Sequence, residues 1–125
     1  VWLSRIFKDK PETPRLTAIY LSVSAGEPMQ SVSSVTALAD MGLSGDRYTE
    51  DKGFWKSVDS CQVTLITQQD IDRANKRGSA TIRQKLAAGD HRRNLVISGL
   101  TEKQLSGSLF AIGEAVFRYR KPRPP

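Results

Sequence analysis

The segment GDHRRNLVISG at residues 89–99 constrains the fold more than any other part of the chain. Two arginines, a histidine and an asparagine stand directly before the apolar run Leu95, Val96, Ile97, which reads as a buried strand. A dense polar cluster is thus attached to a segment that belongs in the interior. Strand side chains alternate, which predicts Arg92 and Asn94 on one face and Arg93, Leu95 and Ile97 on the other. One face then carries a planar cation beside an amide. A guanidinium offers paired donors that match phosphate or carboxylate oxygens, and an amide both donates and accepts, so the pair suits an anionic ligand with a heterocycle. The alternative is a solvated strand end with charge-paired arginines.

At 125 residues the chain accommodates one domain with a real core, expected over residues 15–125 after an N-terminal segment at 1–14. Its formal net charge of +6 favours anionic partners without choosing among them. Nucleic acid is not expected, because the few aromatics, such as Phe110 and Phe117, sit among apolar neighbours and not in a basic stripe. The single cysteine, Cys61, excludes an internal disulfide framework and a multi-cysteine zinc site, and it fits a reducing cytosol. One histidine cannot build a histidine cage for a metal. No apolar run approaches the roughly 20 residues that span a bilayer, and no signal-peptide pattern is present, so a cytoplasmic protein without membrane contact is expected. The numbering starts at Val1, which leaves room for an original N-terminus ahead of it.

Along the chain, Trp2, Leu3, Ile6 and Phe7 have the spacing of a short amphipathic helix, and KDKPETP after them reads as a loop. Residues 16–24 should form a strand, AGEP a turn, and residues 32–39 a second extended stretch. A glycine-punctuated loop is expected over residues 42–53, where Gly42 and Gly45 permit close backbone approach to a ligand. In it, Asp46 and Arg47 can form a local ion pair or leave Arg47 to an anion. QVTLIT at 62–67 is a strand, with Ser60 and Cys61 just before it. Helices follow from Gln68 to about Gly78 and from Thr81 to Ala88, then the strand 93–98. One helical turn at 101–105 precedes two β segments, 108–112 and 114–120, joined tightly at Gly113. The tail KPRPP cannot continue a ladder. Several strands with helices inserted in the middle predict a mostly antiparallel sheet or a closed β-barrel.

Five blocks, GLSGDRY at 42–48, KGFW at 52–55, QVTLIT, GDHRRNLV at 89–96 and FAIGEAVF at 110–117, together resemble the MOSC domain family, in the order that family has them. The family takes its name from the C-terminal domain of molybdenum cofactor sulfurases and includes standalone bacterial domains, the type this chain is similar to. The resemblance implies a mostly β, barrel-like fold with helical insertions and binding of the molybdenum cofactor, a phosphorylated pterin whose dithiolene holds the metal. Pyridoxal phosphate is not expected. By the same resemblance Arg47, Arg92 and Asn94 line the pterin and phosphate site, and Ser60 and Cys61 match the small residues entering the preceding strand. The two arginines would bind phosphate by charge-assisted bonds, while Asn94 and the Ser60 hydroxyl would read the pterin edge.

The family's reactive cysteine comes after a proline-containing segment and would fall just past Pro125, so the sequence is expected to be a trimmed piece of a longer chain. A soft thiolate is the sensible ligand for molybdenum and the sensible carrier of sulfane sulfur. Without it, the cofactor is not expected to be retained. Cys61 is a candidate substitute if Arg47 and Arg92 converge on it, against the simpler reading of a small residue at a strand start. His91 is either a proton donor beside the metal or a loop residue bonding its neighbours; alternation from Arg92 sends it to the opposite face. The resemblance implies three roles: a reductase of N-hydroxylated compounds, a sulfur carrier working with a redox or sulfur-transfer partner, and a non-catalytic anion-binding module on the same fold.

Overall fold

The computed structural model describes residues 13–47 and 62–120. Its centre is the short strand LVIS, whose four residues are all buried. Such complete burial requires cover on both faces and a partner on both edges. The chain supplies these in order: β1 (Arg15–Leu21), β2 (Gln30–Val32), β3 (Ala37–Leu38), β4 (Gly42–Leu43), β5 (Leu65–Thr67), α1 (Gln68–Arg77), α2 (Ala80–Ala87), β6 (Leu95–Ser98), α3 (Glu102–Leu105), β7 (Leu109–Ile112) and β8 (Ala115–Arg118). The main sheet runs β2-β1-β6-β5, with β3–β4 and β7–β8 as separate two-stranded sheets. β1 is antiparallel to β2 and β6, whereas β5 lies parallel to β6.

That parallel pair dictates where the helices go, because a parallel connection must cross the sheet. Thr67 ends β5 and at once caps α1, its hydroxyl accepting the Asp70 N–H at 3.2 Å. Asp70 in the first turn and Lys76 and Arg77 in the last complement the helix dipole. Ile71 is the buried residue of α1, which packs against β5 and β6. On the other face of the sheet, Ile19, Leu43 and Leu95 form the core, joined by Leu21, Val32, Val35, Val63, Leu65, Ile112 and Phe117. Each fully buried aliphatic side chain there is worth roughly 1.5–3 kcal/mol. Phe110 and Phe117 stack across the β7–β8 hairpin at 5.8 Å. Among the described residues, β1, β6 and this hairpin border a half-open cleft of about 850 Å³.

The sheet-rich composition agrees with a mostly β chain carrying helical insertions, and both inserted helices, the helical turn at 101–105 and the Gly113 hairpin stand where the spacing predicts them. Other expectations need correcting. No closed barrel is formed among the described residues, whose strands divide into three sheets, and the expected mostly antiparallel sheet contains one parallel pairing. The extended stretch at 32–39 breaks in two: β2 ends at Val32, Val35 turns into the core, and β3 pairs with β4 instead. Gly42 and Leu43 are therefore strand, not loop. β6 begins at Leu95, two residues later than predicted. The amphipathic spacing at residues 2–7 and the tail at 121–125 lie outside the described residues.

The end of α2 sets the path of the chain towards β6. The Gly89 N–H reaches the Leu86 carbonyl at 3.1 Å and the Asp90 N–H the Lys85 carbonyl at 2.9 Å, the paired bonds of a Schellman cap. Gly89 has φ 88°, and a Cβ there would stand 2.7 Å from the Tyr20 ring. Gly113 also has positive φ, 57°, but a Cβ there would meet nothing within 4 Å. Gly113→Ala is therefore expected to cost roughly 1–2 kcal/mol from the backbone alone. Gly89→Ala should exceed it by about 1–3 kcal/mol, because the Tyr20 ring must also move. Urea midpoints of the two variants check the difference, and equal losses would show that Tyr20 yields freely.

Candidate functional site

From the Gly89 cap the chain makes one further turn before β6. The Arg92 N–H donates to the Gly89 carbonyl at 3.0 Å, and Arg92 itself is left-handed at φ 62°. A residue with a Cβ pays about 1–2 kcal/mol in that region. The His91 ring sits edge-on to Tyr20, centroids 5.2 Å apart, and its Nδ1 accepts the Arg93 N–H at 3.0 Å. The half-buried Arg92 side chain reaches across to a different loop, where Nη1 donates to the Glu27 carbonyl.

That loop, residues 22–29, is organised by buried groups. The Ser22 N–H donates to Asp46 Oδ1 at 3.0 Å. Its hydroxyl lies within bonding reach of two carbonyls, Ser24 at 2.8 Å and Glu27 at 3.0 Å. Gly45, at φ 85°, lets the chain turn so that the Asp46 N–H meets the Leu43 carbonyl at 3.0 Å and the Arg47 N–H the Ser22 carbonyl at 2.7 Å. Arg47 Nη1 lies 3.1 Å from Asp46 Oδ1, both side chains buried. Its Nη2 donates to the Arg92 carbonyl at 3.4 Å, and Nη1 also approaches Met29 Sδ at 3.7 Å. Of the two possibilities for Asp46 and Arg47, the ion pair is the one formed.

Arg47 and Arg92 thus meet at one end of the sheet, gathered on the same loop although 45 residues separate them. Their situations differ. Arg47 is buried with its charge balanced by Asp46, while among the described residues Arg92 makes a single side-chain hydrogen bond, to a neutral carbonyl. Asn94 is fully buried: Oδ1 accepts the Thr64 N–H at 3.1 Å and the Thr64 hydroxyl at 3.2 Å, and Nδ2 donates to the Tyr20 carbonyl at 3.0 Å. Its amide bonds to the frame on both sides. Alternation predicts a shared strand face for Arg92 and Asn94, and the structure corrects this: neither is in β6, and the left-handed conformation of Arg92 itself breaks the period of two. Ser60 and Cys61 lie outside the described residues. Tyr20, Ser22 and Thr64 were not legible as site residues; Thr64, a lone hydroxyl between Val63 and Leu65, carried the one visible hint.

The MOSC domain model matches residues 52–125, more than half of the chain, and the chain belongs to the MOSC domain family. Arg92 and Asn94 fall inside the matched span, and Arg47 falls before it. No curated protein and no solved structure matches the chain. No helix among the described residues is long and apolar enough to cross a membrane.

Two measurements probe this arrangement. Asn94→Ala strands the buried Thr64 and Tyr20 groups, so it should destabilise the fold by roughly 3 kcal/mol in chemical denaturation; a loss within experimental error would sink the bracing role. The His91 imidazole is held below its ordinary pKa of 6.5, first by burial and then by the Arg93 cation, with Asp90 opposing. The folded protein therefore binds fewer protons at this group than the unfolded chain. Its contribution to stability is full above about pH 6.5 and falls as the pH drops through the folded value. The thermal midpoint should decline accordingly on acidification, and less steeply in His91→Asn.

Proposed function

We propose that this end of the sheet binds the phosphate of the molybdenum cofactor, with which MOSC domains are associated, and that Arg92 is the principal contact. One observation carries the reading: a half-buried cation without a carboxylate partner among the described residues, held in a left-handed conformation that residues with a Cβ do not favour. Strain retained at a charged residue whose surroundings over-determine it is a mark of a functional position. A guanidinium can take two phosphate oxygens at once, and Arg92 has the donors for it.

The donor set fits the phosphate end of the group. Arg47 supports it indirectly by holding the Arg92 carbonyl, and Asn94 by fixing the strand start; Ser60 and Cys61 are proposed neighbours of the pterin. In this reading the protein's own residues bind and orient the cofactor. When bound, the cofactor supplies two-electron redox chemistry at molybdenum, and reduction of N-hydroxylated compounds is the proposed activity.

Arg92→Gly tests this directly. Glycine accepts φ 62° without strain, so stability should change by no more than about 1 kcal/mol, the relief offsetting the lost bond to Glu27. The affinity of the folded protein for inorganic phosphate should fall about tenfold, the worth of one charge-assisted bond. Unchanged phosphate affinity in a folded Arg92→Gly variant removes the proposal. A parent protein that carries persulfide sulfur and no molybdenum identifies a sulfur carrier instead.

A further inference from the structure

The Arg92 turn depends on a lone pair. From α2 to β6 its backbone bonds run Gly89 N–H to Leu86, Asp90 N–H to Lys85 and Arg92 N–H to Gly89. The next N–H, that of Arg93, is taken by the His91 ring at 3.0 Å. This is the pattern of an Asx turn with imidazole nitrogen in place of the amide oxygen, and it closes the chain around Arg92. The acceptor must be an unprotonated Nδ1, which puts the ring proton on Nε2. A second proton would set two N–H groups against each other at the same short distance. We infer that His91 is the positioning residue of the Arg92 cation: its Nδ1 lone pair holds the turn that presents the guanidinium, so that protonation of His91 withdraws the anion site. The inference rests on the reading of Arg92 as an anion contact.

The surroundings of the ring support the assignment. Tyr20 of β1 packs against it edge-on, and the Tyr20 hydroxyl reaches the Ala87 carbonyl at the end of α2 at 3.5 Å, which pins the ring between sheet and helix. The charged groups acting on the imidazole, Arg93 and Asp90, both belong to its own turn, and the first opposes protonation while the second favours it. From β1 the neighbour is the uncharged Tyr20 ring. The ring is half-buried, so the bulk proton concentration reaches it.

Electrostatics and positioning predict opposite signs. A protonated imidazole one residue from Arg92 adds positive charge, which by itself tightens anion binding. Loss of the turn weakens it. Sulfate separates the two, because it remains a dianion from about pH 7.5 down to about pH 4.5, a span that reaches a histidine held below its ordinary pKa. Sulfate affinity, measured by magnetic resonance titration with the Arg93 amide as reporter, should weaken on acidification of the parent protein. His91→Asn keeps a neutral acceptor for the Arg93 N–H and should bind equally at both pH values. His91→Ala should bind about fivefold more weakly than the parent at the higher pH, the equivalent of one hydrogen bond, with no further acid loss. Arg92→Gly should not bind at either pH.

The inference is overturned if the parent binds sulfate more tightly in acid, or if His91→Asn shares the parent's pH course. In both cases loss of binding in Arg92→Gly would leave the anion contact itself intact. If Arg92→Gly binds as the parent does, the contact falls, and the positioning role with it. Should His91→Ala fail to fold, the comparison of the parent with His91→Asn still decides.

Discussion

The buried amide of Asn94 joins the parts of the molecule that matter for its chemistry. Strand β6 is flanked by an antiparallel neighbour, β1, and a parallel one, β5, and these two pairings demand different hydrogen-bond spacings at the strand's first residues. Asn94 bridges the mismatch. Its Oδ1 takes the Thr64 N–H ahead of β5 and its Nδ2 gives to the Tyr20 carbonyl in β1, while its own backbone bonds both residues again. A buried polar network of this kind rigidifies when every member is satisfied and is costly when one is not. Arg92 stands two residues before this knot, and the loop at 22–29 begins two residues after Tyr20. Both sides of the candidate site are therefore anchored on one side chain.

Charge is distributed around that anchor according to burial. A guanidinium as deeply buried as Arg47 requires a partner, and Asp46 provides it from the adjacent position. The pair stabilises the loop through Ser22 and leaves little net field for a ligand. Arg92, with its tip bonded to a carbonyl and partly accessible, keeps its charge effective outward. Two arginines that look equivalent in the sequence thus stand in different settings: one is paired within the loop, and in the proposed site the other carries the attraction.

How much of this could be read beforehand depended on the range of the interactions. The α1 boundaries come from Thr67, Asp70 and the Lys76, Arg77, Gly78 stop, all local signals, and the β7–β8 turn comes from Gly113. The apolar run after Asn94 announced the central strand. The meeting of Arg47 with Arg92 came from the family resemblance. What stayed hidden was set by contacts 24 to 74 residues apart: Ser22 with Asp46, Thr64 with Asn94, Tyr20 with Asn94. Nothing in Arg92, Arg93, Asn94 marks the first as left-handed, because that conformation is imposed by the cap before it and the knot after it. Alternation failed there for the same reason: it holds within a strand, and these residues precede one.

The topology also decides what kind of force can hold an anion at this end. β5 and β6 run in parallel, and the site lies where both begin, alongside the end of β1. Helix α1 starts at the far end of β5, so its positive N-terminus points away from the site. The helix end that does lie here is the C-terminus of α2, whose dipole disfavours negative charge. The Schellman bonds from Gly89 and Asp90 occupy the Leu86 and Lys85 carbonyls and so blunt that repulsion without reversing it. Among the described residues, no helix N-terminus, the usual resource for phosphate binding in folds with parallel strands, faces this end. In the proposed site the attraction therefore falls to a side chain with a full charge, placed beyond the cap, and a left-handed Arg92 is what the chain puts there.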